Sequence, residues 1–186
     1  MNISHNSEKE LLRLIDKGDE QARYLMYKKY VRYLSAVCSR YISNDEHLKD
    51  VLQEAFLKIF ASIGTFHYKG EGSLRAWMGR IVVNESLKSL KRNSRLEFVD
   101  IDKDRLDITD DPPDTEGIPA DVIHRMIRSL PDGYRTVFNL YAIEEKSHKE
   151  IADILCIKES TSASQLHRAK AMLAEMITQF RNNSKR

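Results

Sequence analysis

What this sequence has little of narrows it before any motif is read. It holds two cysteines in 186 residues. Cys38 lies inside a helical pattern and Cys156 in a turn, and neither has metal-ligand spacing or an obvious mate. Two free thiols in a reducing compartment are therefore expected. No stretch approaches the roughly 20 apolar residues of a membrane span, and the start, Met1-Asn2-Ile3-Ser4-His5, has no basic region leading into an apolar run. The expectation is a soluble, cytoplasmic chain without membrane insertion. Catalytic signatures are missing as well. The six histidines are scattered as His5, His47, His67, His124, His148 and His167, with no H-E-x-x-H, no phosphate-cradling glycine loop and no nucleophile elbow. We expect no catalytic residues, no metal ligands and no cofactor.

Strand alternation is also nearly absent, because the apolar residues recur at three and four rather than two. The reading is an all-α protein. A first helix is expected over about 7–17, ended by Gly18-Asp19, and a second over 20–42, where Ala22, Leu25, Met26, Tyr30, Leu34, Val37 and Tyr41 form one stripe. A third covers 45–62, with Leu48, Val51, Leu52, Ala55, Phe56, Ile59 and Phe60 as a broad apolar face. A glycine-rich loop, 64–72, follows. Ser73 is the natural N-cap of a fourth helix over 74–93. Helical signals resume near 119, and Pro131 opens another helix over 132–143.

Neither sign of charge dominates: 30 Lys+Arg face 28 Asp+Glu. Their distribution is uneven. Residues 1–93 carry 16 basic and 11 acidic side chains, residues 94–118 carry 3 and 9, and residues 119–186 carry 11 and 8. The middle block has no periodicity and is crowded with Asp beside Pro112 and Pro113, as an extended, solvated linker would be. Two small helical domains, 1–93 and 119–186, joined by a flexible acidic linker over 94–118, are expected, each basic enough to meet a polyanion.

The sharpest local signal is near the C-terminal end. Ser147-His148-Lys149-Glu150 matches a capping box. The helix it starts breaks at Cys156-Ile157-Lys158-Glu159, and a second opens at Ser160, making a helix-turn-helix. On that second helix Ser162, Leu166, Ala169 and Leu173 should pack inward. Ser160, Thr161, Ser164, Gln165 and Arg168 are the candidate DNA-facing set, with small hydroxyl residues near a helix start leaving amides for phosphate. A solvated face on an ordinary helical hairpin is the alternative. In the fourth helix Arg80, Asn84 and Lys88, continued by Lys91, Arg92 and Arg95, form a basic ridge opposite Leu74, Met78, Ile81 and Val82. Phe66, His67, Tyr68 and Lys69, with Trp77, set aromatic rings and a cation beside the glycine loop, which suits unstacked bases. The alternative is that Phe66 and Trp77 are core and the ridge is merely solvated. Asp50, Gln53, Glu54 and Leu57 on the third helix read either as a protein-contact patch or as a solvated face.

These motifs, in this order, resemble the extracytoplasmic-function (ECF) group of sigma-70 family factors. Asp50-Val51-Leu52-Gln53-Glu54-Ala55-Phe56-Leu57-Lys58-Ile59-Phe60 looks like the family's polymerase-clamp helix. Ser73-Leu74-Arg75-Ala76-Trp77-Met78-Gly79-Arg80-Ile81-Val82-Val83-Asn84 resembles the start of its −10 recognition helix. Leu130-Pro131-Asp132-Gly133-Tyr134-Arg135-Thr136-Val137-Phe138, followed by Lys149-Glu150-Ile151-Ala152, is similar to the approach to its region 4 helix-turn-helix.

The resemblance implies a non-catalytic specificity subunit that binds core RNA polymerase through the β′ clamp and β flap, binds promoter DNA, and is held by an anti-sigma factor. It implies that Asp50, Gln53, Glu54 and Leu57 meet the clamp, and that Phe66, His67, Tyr68, Lys69, Trp77, Arg80, Asn84 and Lys88 hold the melted −10 strand. Ser160, Thr161, Ser164, Gln165 and Arg168 would read the −35 duplex, and the linker would thread toward the active-site channel. Two departures stand out. Relatives often have Gly where Cys156 stands, which implies a differently shaped turn. They also often carry basic residues at the positions of Ala163 and Gln165, so a weaker salt-dependent phosphate contribution is expected. A stand-alone helix-turn-helix regulator is the rival reading, but it leaves the clamp-like face and the aromatic loop unexplained.

Overall fold

The computed structural model describes residues 7–92, 96, 98 and 115–184. The expected linker at 94–118 therefore lies outside the described residues except for Leu96, Phe98 and 115–118, as does Arg95 of the ridge. The described elements are helical: α1 (Glu8–Asp16), α2 (Glu20–Ser39), α3 (Asp45–Ser62), a 3-10 turn (Ile63–Thr65), α4 (Ser73–Arg92), α5 (Ala120–Ser129), α6 (Asp132–Ala142), α7 (His148–Leu155) and α8 (Glu159–Ser184). No described helix is long and apolar enough to cross a membrane. The chain divides into two compact units between Ser89 and Leu90.

In the first unit the starts of α1, α2 and α3 each carry a side-chain cap. Ser7, Asp19 and Asn44 accept from the amides of Glu10, Ala22 and His47, which satisfies donors the helix cannot pair itself. The stripes named from periodicity form the core: Met26, Leu34, Val51, Ala55, Ile59, Leu74, Met78 and Val82 are all buried. Polar pairs cross that core. Cys38 Sγ lies 3.6 Å from Ser86 Oγ, and His47 Nε2 shares a 2.7 Å hydrogen bond with Ser89 Oγ. These fix how α2 and α3 meet α4 in a way apolar contact alone does not specify.

The start of α4 is where the structure corrects the expectation. Ser73 is the first helical residue, not a cap, and its hydroxyl donates to the Gly70 carbonyl at 2.6 Å. The acceptor for α4's leading amides is the Glu8 carboxylate on α1. Its Oε2 takes the amides of Gly72 (2.9 Å) and Leu74 (3.3 Å).

In the second unit α8 packs on α6 and α7, and α5 packs on α8. Leu130, Ala169 and Leu173 are the buried centre, with Met126, Ile127, Tyr134 and Phe138 around them. Arg135 is only 1% exposed. Its Nη1 donates to the carbonyls of Arg128 (3.1 Å) and Leu130 (2.8 Å), and its Nη2 pairs with Asp132. One guanidinium thus satisfies the open carbonyl end of α5 while anchoring α6.

The α7–α8 corner follows the sequence reading closely. Both halves of the Ser147/Glu150 capping box are present. The Ser147 amide, the Lys146 ammonium and the Ser147 hydroxyl hold the Glu150 carboxyl down at about 2. The turn was expected to depart from a glycine-type corner, and here the reading needs correction. Cys156 itself adopts the left-handed conformation, with φ 59° and ψ 47°, so the corner keeps the shape that glycine would give it.

Candidate nucleic-acid interface

Three helix faces and one loop carry the residues singled out in the sequence, and not all of them reach the surface. On α3, Asp50, Gln53, Glu54 and Leu57 are all exposed, spaced i, i+3, i+4 and i+7, while Val51, Leu52, Ala55 and Phe56 are buried. Leu57 is 65% exposed. It is a large apolar side chain set in solvent beside two acids and an amide.

On α4, Arg80, Asn84 and Lys88 are exposed and fall on one row at i, i+4 and i+8, as a ridge following a strand requires. The row is not uniformly basic beneath. Glu85 lies just inside it, its side chain 5% exposed, with Lys58 Nζ at 2.6 Å and Lys88 Nζ at 3.7 Å. Burial pushes the Glu85 carboxyl up, but the Lys58 and Lys88 ammonium groups outweigh it and leave it below its ordinary value. Lys88 thus faces solvent while neutralising an inward acid, and Arg80 is the cleaner test of the ridge. Periodicity could have flagged Glu85, since 78, 82, 85 and 89 share the inward face.

The loop before α4 presents its side chains unequally. His67 and Lys69 are exposed, Tyr68 is half-buried, and Phe66 and Trp77 are half-buried against each other, ring centroids 5.0 Å apart. The two rings pack on one another at an interplanar angle of 42°, and neither residue is fully buried. Tyr68 donates to Glu71 at 3.4 Å. Gly70 and Gly72 have φ of 116° and 87°, angles that L side chains rarely adopt.

The recognition-type helix buries a wider arc than expected. Ser162, Leu166, Ala169 and Leu173 are buried as expected, but so are Thr161 (4% exposed) and Gln165 (1%). At about 100° per residue, positions 161 and 165 lie along one side of the 162, 166, 169 and 173 stripe, so packing against both α6 and α7 closes a wide inward arc over them. Thr161 and Gln165 are therefore not surface residues. The outward arc runs through Ser160, Ala163, Ser164, His167 and Arg168, each exposed or half-exposed. Ala163 and His167 were not among the candidates. Ser164 Oγ donates to the Thr161 carbonyl at 3.0 Å, and His148 Nδ1 shares a 3.0 Å bond with Ser162 Oγ that ties α7 to α8.

The sigma-70 region 2 family model matches residues 26–96, and the sigma-70 region 4 model matches residues 120–173. The chain belongs to the sigma-70 family. Its relatives place it in the ECF group. It is 26% identical to the ECF RNA polymerase sigma-E factor of Haemophilus influenzae, over 92% of this chain and 95% of that one. It is likewise 26% identical to the ECF RNA polymerase sigma factor SigW of Bacillus subtilis, over 91% and 96%. The solved structure of CnrH in complex with the cytosolic domain of CnrY is similar at 21% identity and a TM-score of 0.48, covering 94% of this chain and 99% of that chain. As an ECF sigma factor, this chain is a non-catalytic specificity subunit that binds core RNA polymerase and promoter DNA and directs promoter-specific initiation of transcription.

Proposed function

We propose how the parts of this sigma factor divide that work. Residues 1–93 act as the region 2 domain. Within them Asp50, Gln53, Glu54 and Leu57 dock on the β′ clamp of core polymerase, while Phe66, His67, Tyr68, Lys69, Trp77, Arg80, Asn84 and Lys88 grip the melted −10 strand. Stacking on accessible ring faces and charge along the phosphates supply that grip without base pairing. Residues 119–186 act as the region 4 domain, which meets the β flap and reads the −35 duplex through Ser160, Ser164 and Arg168, joined by Ala163 and His167. Thr161 and Gln165 support that surface from beneath. Residues 94–118 form the acidic linker, which threads toward the active-site channel. The protein works in the cytoplasm, and an anti-sigma factor restrains it, as ECF membership implies.

The observation that carries this reading is the α3 face, where four candidate side chains are exposed together around a solvent-facing Leu57. The test uses full-length protein and purified core enzyme. Asp50→Ala with Gln53→Ala should abolish co-migration with core polymerase. Arg80→Glu should retain co-migration but lower the yield of heparin-resistant open complexes. Unchanged co-migration of the double variant would remove the clamp assignment, and parental open-complex yield from Arg80→Glu would remove the ridge assignment.

A further inference from the structure

We propose that Glu8 is a positioning residue for promoter opening: its carboxylate, reaching from α1, pins the end of the 66–72 loop that presents the single-strand grip. The inference rests on the assignment of that loop to the melted strand. Glu8 belongs to a helix that precedes the segment matched by the region 2 model.

Glu8 is the first residue of α1, a position where an acid usually complements its own helix dipole in solvent. Here it is 2% exposed. A carboxylate at that depth requires donors, and three are present. The Tyr30 hydroxyl donates to Oε1 at 2.9 Å, and the amides of Gly72 and Leu74 donate to Oε2 at 2.9 and 3.3 Å. Those amides belong to the leading turn of α4, whose donors have no intrahelical partners. Ser73, the residue between them, bonds back into the loop. Its Oγ donates to the Gly70 carbonyl and accepts from the Lys69 amide at 3.2 Å.

The backbone from Lys69 to Leu74 is therefore held from two directions. Ser73 ties Lys69 and Gly70 back onto the helix start, and Glu8 holds Gly72, whose φ is 87°, from the α1 side. Phe66, His67, Tyr68 and Lys69 then project from an anchored end, so the ordering cost of the loop is met on folding and not when DNA arrives. The same contacts occupy the amides of Gly72 and Leu74. Strand phosphates are left to side chains such as Lys69 and Arg80 and not to the start of α4.

The test compares holoenzymes carrying Glu8→Ala, Glu8→Gln and Tyr30→Phe with the parent. The probe is a fluorescent non-template-strand oligonucleotide spanning the −10 element of a promoter mapped by in vitro transcription. Glu8→Ala should weaken oligonucleotide binding about tenfold, near the effect of losing one charge-assisted hydrogen bond. Core-polymerase affinity and binding of −35 duplex should stay within about twofold of the parent. Glu8→Gln keeps an acceptor oxygen for the two amides and should recover part of the loss. Tyr30→Phe leaves the amide contacts in place and should lose less than Glu8→Ala.

Parental oligonucleotide affinity in Glu8→Ala overturns the proposal. So does a loss shared equally by core binding and duplex binding, which would mark Glu8 as a general stability residue. If Glu8→Ala does not fold, Glu8→Gln decides: lowered oligonucleotide affinity with intact core binding supports the proposal, and parental affinity overturns it. Phe66→Ala separates the two levels of the argument. If it weakens oligonucleotide binding and the Glu8 variants do not, the positioning role alone fails; if it has no effect, the loop assignment beneath it fails.

Discussion

Cys156 stands where the chain turns from α7 into α8 with a left-handed backbone, φ 59°. An L side chain there is disfavoured by about 1–2 kcal/mol, and part of that gain is returned when glycine enlarges the freedom of the unfolded chain. Cys156→Gly should stabilise the second unit by roughly 0.5–1 kcal/mol. The chain has a single tryptophan, Trp77, and it lies in the first unit. The gain should therefore appear in urea unfolding followed by far-UV circular dichroism and leave the Trp77 fluorescence transition where it was. His148 makes the same corner sensitive to pH. Burial lowers its imidazole below the ordinary 6.5, with Glu159 opposing and Lys170 assisting, beside the Tyr141 ring at 4.8 Å. The unfolded chain then binds more protons than the folded one just below 6.5, so stability is complete above that pH and falls as pH drops through it. Melting at about pH 7.5 and about pH 5.5 should show this loss in the parent and a flatter response in His148→Gln; an equal slope in both would rule His148 out as the source.

At the scale of elements, the width of the buried arc of α8 decides which substitutions act on DNA and which act on folding. Gln165→Ala should lower the unfolding midpoint of the second unit and leave the salt dependence of duplex binding unchanged, since Gln165 is buried. Arg168→Ala should weaken −35 duplex binding by about 1–3 kcal/mol if it reads a base, or reduce the salt slope by about 1 if it meets a phosphate. Binding isotherms across a salt series distinguish these cases, and a Gln165→Ala effect on the slope would place that residue back at the surface. The expected inward set of 162, 166, 169 and 173 was sound. What periodicity could not supply was the width of the arc, because that depends on α8 packing on two helices at once. Glu85 shows the opposite case. Its inward position was readable from spacing, while the pairing with Lys58 across 27 residues was not.

For the whole molecule, charge is arranged as two basic blocks around an acidic one, with 9 Asp+Glu and 3 Lys+Arg in residues 94–118. A tethered polyanion competes with nucleic acid for the basic surfaces of the free protein. Replacing Asp100, Asp102, Asp104, Asp107, Asp110, Asp111 and Asp114 with Asn should tighten binding of the free chain to non-specific DNA and steepen its fall with salt. Filter binding from low to high salt measures this, and parental curves would show that the acidic block does not screen DNA.

The sequence by itself determined the helical class, the limits of most helices, the capping box at Ser147 and the family, because each of these rests on local spacing and on residue types at fixed offsets. It also set which α3 side chains face solvent, since that helix buries one simple stripe. Only the tertiary structure decided that Glu8 replaces Ser73 as the acceptor at the start of α4, 64 residues away. The same holds for Arg135, which satisfies the end of α5, and for the arc of α8 that remains outside. In each case a polar group is satisfied, or a face is buried, by a partner distant in the chain, and periodicity within one helix carries no record of which partner that is.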